Sequence, residues 1–287
     1  VAEASHPVPD RFGLDTAARI LPLVTGLGRE DLVLALFSGG GSALLPLPAG
    51  AVSLHDKQSL IAQLLRTGAT IDEINCVRKH LSAIKGGRLA CAAAPARVVN
   101  ILISDVAGDY PTVIASGPAE PDPTTLADAR RVIEKHRLDV SPAVRAHLGD
   151  AANETPKPGD PCFDRVSTRI VASAKVMLEG AATFLEGRAI PTHILGDRVE
   201  GESTAVARTH ADLARQIAQG RGPWAPPCAL LSGGETTVTI RGSGRGGSNL
   251  EYLLGLIVAM GETAPYAALA CDTDGSDGST GVAGALA

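Results

Sequence analysis

Two periodicities alternate along this chain. Short, mostly apolar runs occur at 32–37, 98–103, 169–172, 190–195, 228–231 and 267–271. The run at 32–37 is apolar throughout, and 98–103 nearly so, as in strands buried on both faces of a parallel sheet. Between the runs, apolar residues recur at helical spacing. Leu60, Ile61, Leu64 and Leu65 form one such face, and Ile74, Val77 and Leu81 another. Further helices are predicted over 15–23, 126–135, 173–185, 202–219 (with Val206, Leu213 and Ile217 inward) and 249–260. Ser53 with Asp56, Thr70 with Glu73, and Thr125 with Asp128 have capping-box spacing, and Ser141-Pro142 places proline at a first helical position.

Strands alternating with helices predict an α/β protein, with two α/β domains and mainly parallel sheets. Residues 169–195 read as a βαβ unit. The stretch 150–164 holds Pro156, Pro158, Gly159 and Pro161 with little apolar content. It is the expected boundary, giving domains 1–160 and 161–287. A length of 287 residues, 45% of them hydrophobic, is ample for two cores.

Composition narrows the function. Net charge is −5 with both signs dispersed, and aromatics make up 3%. That is no nucleic-acid footprint. No apolar run approaches the roughly 18 residues of a membrane helix, and the opening residues lack a signal-peptide design, so a cytoplasmic protein without membrane partners is expected. Cys76, Cys91, Cys162, Cys228 and Cys271 form no CxxC pair and read as buried reduced thiols. The seven histidines show no zinc spacing.

Four polar clusters follow predicted strands: 38–42 (Ser38, Gly39, Gly40, Gly41, Ser42), 104–109 (with Asp105 and Asp109), 232–236 (with Ser232, Gly233 and Gly234), and 272–277 (with Asp272, Asp274 and Asp277). Ligands of open α/β sheets bind beyond the carboxyl ends of strands, here in a cleft between two domains. Glycine turns suit phosphate, and clustered carboxylates suit a hard cation such as Mg²⁺ or a proton acceptor. The 38–42 turn lacks the Gly-Lys-Ser/Thr ending of a Walker A loop. Arg78, Lys79 and Lys85, followed by Gly86-Gly87, fit an anion clamp or a solvated helix face. Gly242, Gly244 and Gly247 also match G-x-G-x-x-G, with Asp272 ending the next strand. That alternative is an NAD(P)-dependent reductase, but the run 236–240 alternates apolar and polar residues, unlike the buried first strand of that fold.

Several stretches together resemble the glycerate 2-kinase family with the MOFRL domain, some of whose members are labelled hydroxypyruvate reductase. They are His6-Pro7-Val8-Pro9-Asp10, 38–44, Asn75-x-Val77-Arg78-Lys79-His80-Leu81-Ser82-x-x-Lys85-Gly86-Gly87, 104–109, 114–118, 232–238, 244–251 and 273–278. The resemblance implies a Rossmann-like N-terminal domain, a smaller MOFRL-type C-terminal domain with its MOFRL region from about 226, and an active site in the cleft between the two. It implies ATP- and Mg²⁺-dependent phosphorylation of D-glycerate at the 2-hydroxyl. On it, Asp105 and Asp274 are the expected active-site carboxylates; Lys85 and Arg245 are further catalytic candidates from the residues themselves. The turns at 38–42 and 232–234, with Gly244, Gly246 and Gly247, are expected to hold nucleotide. Arg78, Lys79, Asp109, Glu235 and Asn249 are expected near substrate, and Asp272 and Asp277 near metal. D-glycerate is the expected partner, and a homodimer is left open. Where the family usually has an arginine this chain has Ser248, so Arg245 is the candidate substitute, and a catalytically weakened nucleotide-binding member is a further alternative. The family's N-terminal Gly-Lys motif and C-terminal glycine-rich tail are absent, so a piece of a longer chain is expected.

Overall fold

A computed structural model describes the chain from Val1 to Ala287 except residues 7, 107, 263, 264 and 274, in two compact units, Val1–Ser173 and Ala174–Ala287. The first holds α1 (Arg11–Val24), β1 (Leu32–Phe37), α2 (Gly41–Leu44), α3 (Leu54–Arg66), α4 (Ile71–His80), α5 (Arg88–Ala93), β2 (Arg97–Ile103), α6 (Leu126–Lys135), α7 (Pro142–Gly149) and β3 (Val166–Ala172). Its strands lie in the order β1-β2-β3, all parallel, with Leu32 opposite Arg97 and Val98 opposite Val166.

All three capping boxes form as read, at Ser53/Asp56, Thr70/Glu73 and Thr125/Asp128. They fix where α3, α4 and α6 begin, which sets the phase of their apolar stripes. Leu60 and Leu64 of α3 then meet Val77 of α4, Leu81 and Val132 of α6 in one core. A second core joins Val24 of α1, Ala35 of β1, Leu89 and Ala90 of α5 and Val98 of β2. The expectation that β1 is buried on both faces does not hold in this chain. Ala35 is buried, whereas Leu32, Leu34 and Leu36 are exposed, so β1 packs helices on one face only.

The expected boundary is corrected. The units divide after Ser173, not after residue 160. The proline-rich segment is no free linker: Arg88 donates to the carbonyls of Asn153 and Glu154, and Thr155 is buried against Asp122. β3 then pairs with β2, so the predicted βαβ unit over 169–195 does not form. The cysteines are corrected too. α5 packs on the short 3-10 turn Pro161–Phe163, and Cys91 is disulfide-bonded to Cys162. Cys76 is a buried thiol, but Cys271 is exposed.

The second unit holds α8 (Ala174–Glu186), β4 (Thr192–Glu202), α9 (Ser203–Ala218), β5 (Ala229–Thr237), α10 (Ser248–Met260), β6 (Leu269–Cys271) and β7 (Gly284–Leu286). β4 and β5 pair in parallel, and β6 and β7 pair antiparallel. Small residues let α9 and α10 pack closely, with Ala207 and Ala211 against Leu253, Leu256 and Met260. Among the described residues no helix is long and apolar enough to cross a membrane.

Candidate anion-binding site

The carboxyl end of β1 runs into the turn 38–42 and the single-turn helix α2. Gly40 is left-handed there, at φ 75°, with the His6 ring beside it. Gly39 brings the turn close to the Asp105 carboxylate at the end of β2, which would have to move aside for a Cβ at that position. Asp105 makes no hydrogen bond or ion pair with any described residue, so its oxygens are available. A strained turn packs on this one. Ala115 and Ser116 have φ of 52° and 60°, a conformation that costs non-glycine residues energy and clusters at functional sites. Ser116 Oγ lies 2.7 Å from Ser42 Oγ and donates to Asn75 Oδ1 at 3.1 Å. Asp109 is also left-handed, at φ 54°.

Lys85 joins the two turns. Its ammonium donates to the carbonyls of Gly41 at 3.4 Å and Ala115 at 3.2 Å, and the side chain is fully buried. Burial, then repulsion from Lys57 and Arg78, drives its pKa well down. Half-buried Arg78 makes no ion pair with a described residue, and burial lowers its pKa as well. Lys57 is buried, its Nζ has no hydrogen-bond partner, and burial followed by repulsion from Arg78 pushes its pKa to about 7. Lys57, Arg78 and Lys85 thus repel one another within the first unit, and among the described residues no carboxylate is paired with any of them. Sequence reasoning missed Lys57. The signal was its place on the buried stripe of α3, one turn before Leu60 and two before Leu64.

Lys79 does not belong to this set, contrary to expectation. Its Nζ is buried and ion-paired with Asp122 Oδ1 at 3.3 Å. Asp122 is completely buried and also accepts from Thr124 N, Thr124 Oγ1 and Thr155 Oγ1. His80 extends the network, with Nδ1 2.8 Å from the Cys76 carbonyl and Nε2 3.0 Å from Glu154 Oε1. Burial opposes the Glu154 charge, but Lys157, the Leu126 N–H and His80 outweigh it and hold its carboxyl near 2. Helical spacing explains the split: α4 turns Arg78 one way and Lys79, His80 the other.

In the second unit, two expectations are corrected. The turn expected at Ser232, Gly233 and Gly234 is not a turn. β5 continues through it, with Ser232 opposite Gly196 and Glu235 opposite Glu200. Gly234 is required because a Cβ would overlap the Val199 backbone across the ladder. Its glycine serves strand approach, and the amides belong to a sheet. Asp277, expected near metal, is buried and caps α10, accepting from the backbone N–H of Asn249 at 3.0 Å and of Leu250 at 2.9 Å. Asn249 also turns its side-chain amide to Asp277.

The glycine turn ahead of α10 leaves Gly244 and Gly246 exposed, with Gly247 as the helix N-cap. Arg245 donates to the Ser279 carbonyl at 3.0 Å and is otherwise exposed. Ser248 is the first residue of α10. Asp272 is half-buried just after β6, Glu235 is exposed on β5, and Asp274 lies outside the described residues. Among the described residues no group of three His, Cys, Asp or Glu side chains could hold a metal ion. Mg²⁺ seldom needs such a cage, since one or two carboxylates suffice when phosphates supply the rest. The free Asp105 carboxylate fits that use. The dinucleotide alternative loses its frame, because β5 and β6 lie in different sheets and β6 pairs antiparallel, so among the described residues no βαβ crossover surrounds the glycines.

The first unit is a parallel α/β layer whose strand-end turns, 38–42 after β1 and 104–109 after β2, lie beside each other at Gly39 and Asp105. Residues 1–149 match a domain family described as of unknown function, DUF4147, and residues 228–287 match the MOFRL family. The chain is 48% identical to a "Putative hydroxypyruvate reductase" of Agrobacterium vitis, covering all of this chain and 65% of the relative. It is 38% identical to a D-glycerate 2-kinase of Thermotoga maritima, covering 100% of this chain and 67% of the relative. A crystal structure of glycerate kinase from Thermotoga maritima superposes with a TM-score of 0.89 at 39% identity, over 99% of this chain and 67% of that one. The chain belongs to the glycerate 2-kinase family and spans about two thirds of the length of these relatives.

Proposed function

We propose that the protein is a glycerate 2-kinase, transferring the γ-phosphoryl group of ATP to the 2-hydroxyl of D-glycerate. The observation that carries this reading is the first unit's strand-end turns, where Lys85 binds the carbonyls of Gly41 and Ala115, Asp105 lies against Gly39, and neither Lys85 nor Asp105 is paired with an opposite charge among the described residues. An anionic acceptor and a polyphosphate donor are the substrates such a site favours. The similarity to proteins named glycerate kinase supports the same choice.

In the proposed reaction the 2-hydroxyl oxygen forms the new bond to phosphorus as the bond from phosphorus to the ADP oxygen breaks. The leaving electron pair stays on ADP, and the hydroxyl proton passes to a carboxylate. Asp105 is the described candidate, and Asp274 keeps the role that the family resemblance implies. Mg²⁺, when bound, would neutralise charge on the phosphates. The chain itself contributes positioning and electrostatics, which dominate phosphoryl transfer. The carbonyls of Gly41 and Ala115, in the turns 38–42 and 114–116, hold Lys85 in place before any ligand arrives.

The test is an ADP-release assay with D-glycerate, ATP and Mg²⁺, run beside NADH oxidation with hydroxypyruvate. Glycerate-dependent ADP release supports the proposal. NADH oxidation without ADP release would favour the reductase.

A further inference from the structure

We infer that Ser116 and Asn75 are, on the kinase reading, positioning residues for the transfer step: they set the Ser42 hydroxyl and, through the Ala115 carbonyl, the ammonium of Lys85. Three turns meet at Ser116. Its Oγ lies 2.7 Å from Ser42 Oγ in the 38–42 turn and donates to Asn75 Oδ1 of α4 at 3.1 Å. Its carbonyl accepts from the Gly86 N–H at 3.1 Å, one residue beyond Lys85. The Ala115 carbonyl beside it accepts from Lys85 Nζ at 3.2 Å. Ser116 is 0% exposed and Asn75 4%, so bulk water does not compete for these bonds.

The backbone argues that the Ser116 side chain is needed. The residue is left-handed, at φ 60°, where glycine carries no strain and serine costs about 1–3 kcal/mol. A hydroxyl held in such a place is held for the bonds it makes. Counting hydrogens gives their direction. A serine hydroxyl has one hydrogen. Ser116 gives its own to Asn75, so the hydrogen in the 2.7 Å contact comes from Ser42. Ser42 then has none left for a phosphate oxygen, and its hydroxyl anchors the turn. Gly41, the residue before it, supplies the other carbonyl that Lys85 touches, at 3.4 Å. Asn75 thus orders a chain of bonds that runs from α4 through both turns to the two acceptors of Lys85. A misplacement of about 1 Å at a reacting centre costs about 100-fold in rate.

The test is steady-state ADP release with D-glycerate, ATP and Mg²⁺ in the wild type, Ser116→Gly, Asn75→Leu and Asn75→Asp. Thermal midpoints and amide hydrogen exchange over 41–45 are measured on the same proteins without ligand. Ser116→Gly relieves the backbone and removes only the hydroxyl, so its midpoint should stay within about 4 °C of the wild type. Its kcat should fall about 10–100-fold, with KM for D-glycerate changing less than about threefold. Asn75→Leu should lose kcat to the same extent. Asn75→Asp keeps an acceptor oxygen for Ser116 and should restore kcat to within about threefold of the wild type. Exchange over 41–45 should quicken in Ser116→Gly and Asn75→Leu but not in Asn75→Asp. If Asn75→Leu does not fold, Ser116→Gly and Asn75→Asp carry the same comparison. Wild-type kcat in Ser116→Gly would overturn the inference, as would a raised KM with kcat unchanged. A collapsed midpoint in Ser116→Gly would make the residue structural and overturn it too. Asn75→Asp as slow as Ser116→Gly would overturn the assignment of Asn75. No ADP release by the wild type, with exchange quickened in Ser116→Gly, would sink the kinase reading alone. ADP release with kcat and exchange indifferent to Ser116→Gly would sink this inference alone.

Discussion

Lys79 and Arg78 are adjacent cations with different tasks, and Asp122→Asn separates them. Asp122 is 0% exposed and accepts from Lys79 Nζ at 3.3 Å, Thr124 N at 3.0 Å, Thr124 Oγ1 at 2.7 Å and Thr155 Oγ1 at 3.1 Å. The asparagine has nearly the same volume but no charge, and its amide nitrogen cannot accept. Lys79, itself 4% exposed, is left buried without a counter-charge. Breaking a buried pair from one side costs about 3–5 kcal/mol. At about 2–4 °C per kcal/mol for a unit of this size, the midpoint should fall by about 6–20 °C. Replacing both partners, as Lys79→Met with Asp122→Leu, should recover most of that loss, since an apolar pair carries no unpaired charge. The assay is thermal unfolding of Asp122→Asn, Lys79→Met and the double variant, with D-glycerate affinity measured alongside. Asp122→Asn at wild-type stability, with Lys79→Met losing glycerate affinity tenfold or more while remaining fully stable, would refute the structural role of Lys79.

Three further outcomes follow from the same geometry. The pKa of Lys57 lies near 7 in the folded protein and near 10.5 when unfolded, so between those values the unfolded chain binds the extra proton. Its cost is full below pH 7 and is relieved as pH rises toward 10.5. Urea unfolding should therefore show stability rising over that window by up to about 1.4 kcal/mol per pH unit from this group, and Lys57→Met should remove that slope. Gly234→Ala should destabilise the second unit by about 1–3 kcal/mol or more in a thermal melt, because its methyl overlaps the Val199 backbone. Asp277→Ala should lower unfolding free energy by about 1–2 kcal/mol by uncapping α10, and hydrogen exchange should rise first at Asn249 and Leu250.

Local rules made much of the fold legible. Ser53, Thr70 and Thr125 each met an acid three residues on, and each began a helix at that point. β1 and β2 lie within one residue of their apolar runs. What stayed hidden was non-local. The glycines at 233 and 234 have the composition of a turn, but pairing with β4 draws them into a strand. The prolines after Asp150 look like a linker, yet Glu154 and Thr155 reach back to His80 and Asp122. The disulfide needed the packing of α5 on 161–163. Within the site, Arg78, Lys85 and Asp105 could be named from the motif and the strand ends. Lys57 could not, because a lysine on an amphipathic helix ordinarily faces water, and only burial marks this one out.

If Lys85 helps to hold an anionic acceptor for phosphoryl transfer, removing its charge must cost turnover of D-glycerate. The most direct measurement is the initial rate of ADP release as D-glycerate is varied at saturating ATP and Mg²⁺, compared between the wild type and Lys85→Met. Release should be saturable and glycerate-dependent, and should fall at least about 100-fold in kcat/KM in the variant. Glycerate-independent release, or a variant with unchanged kcat/KM, would contradict that role.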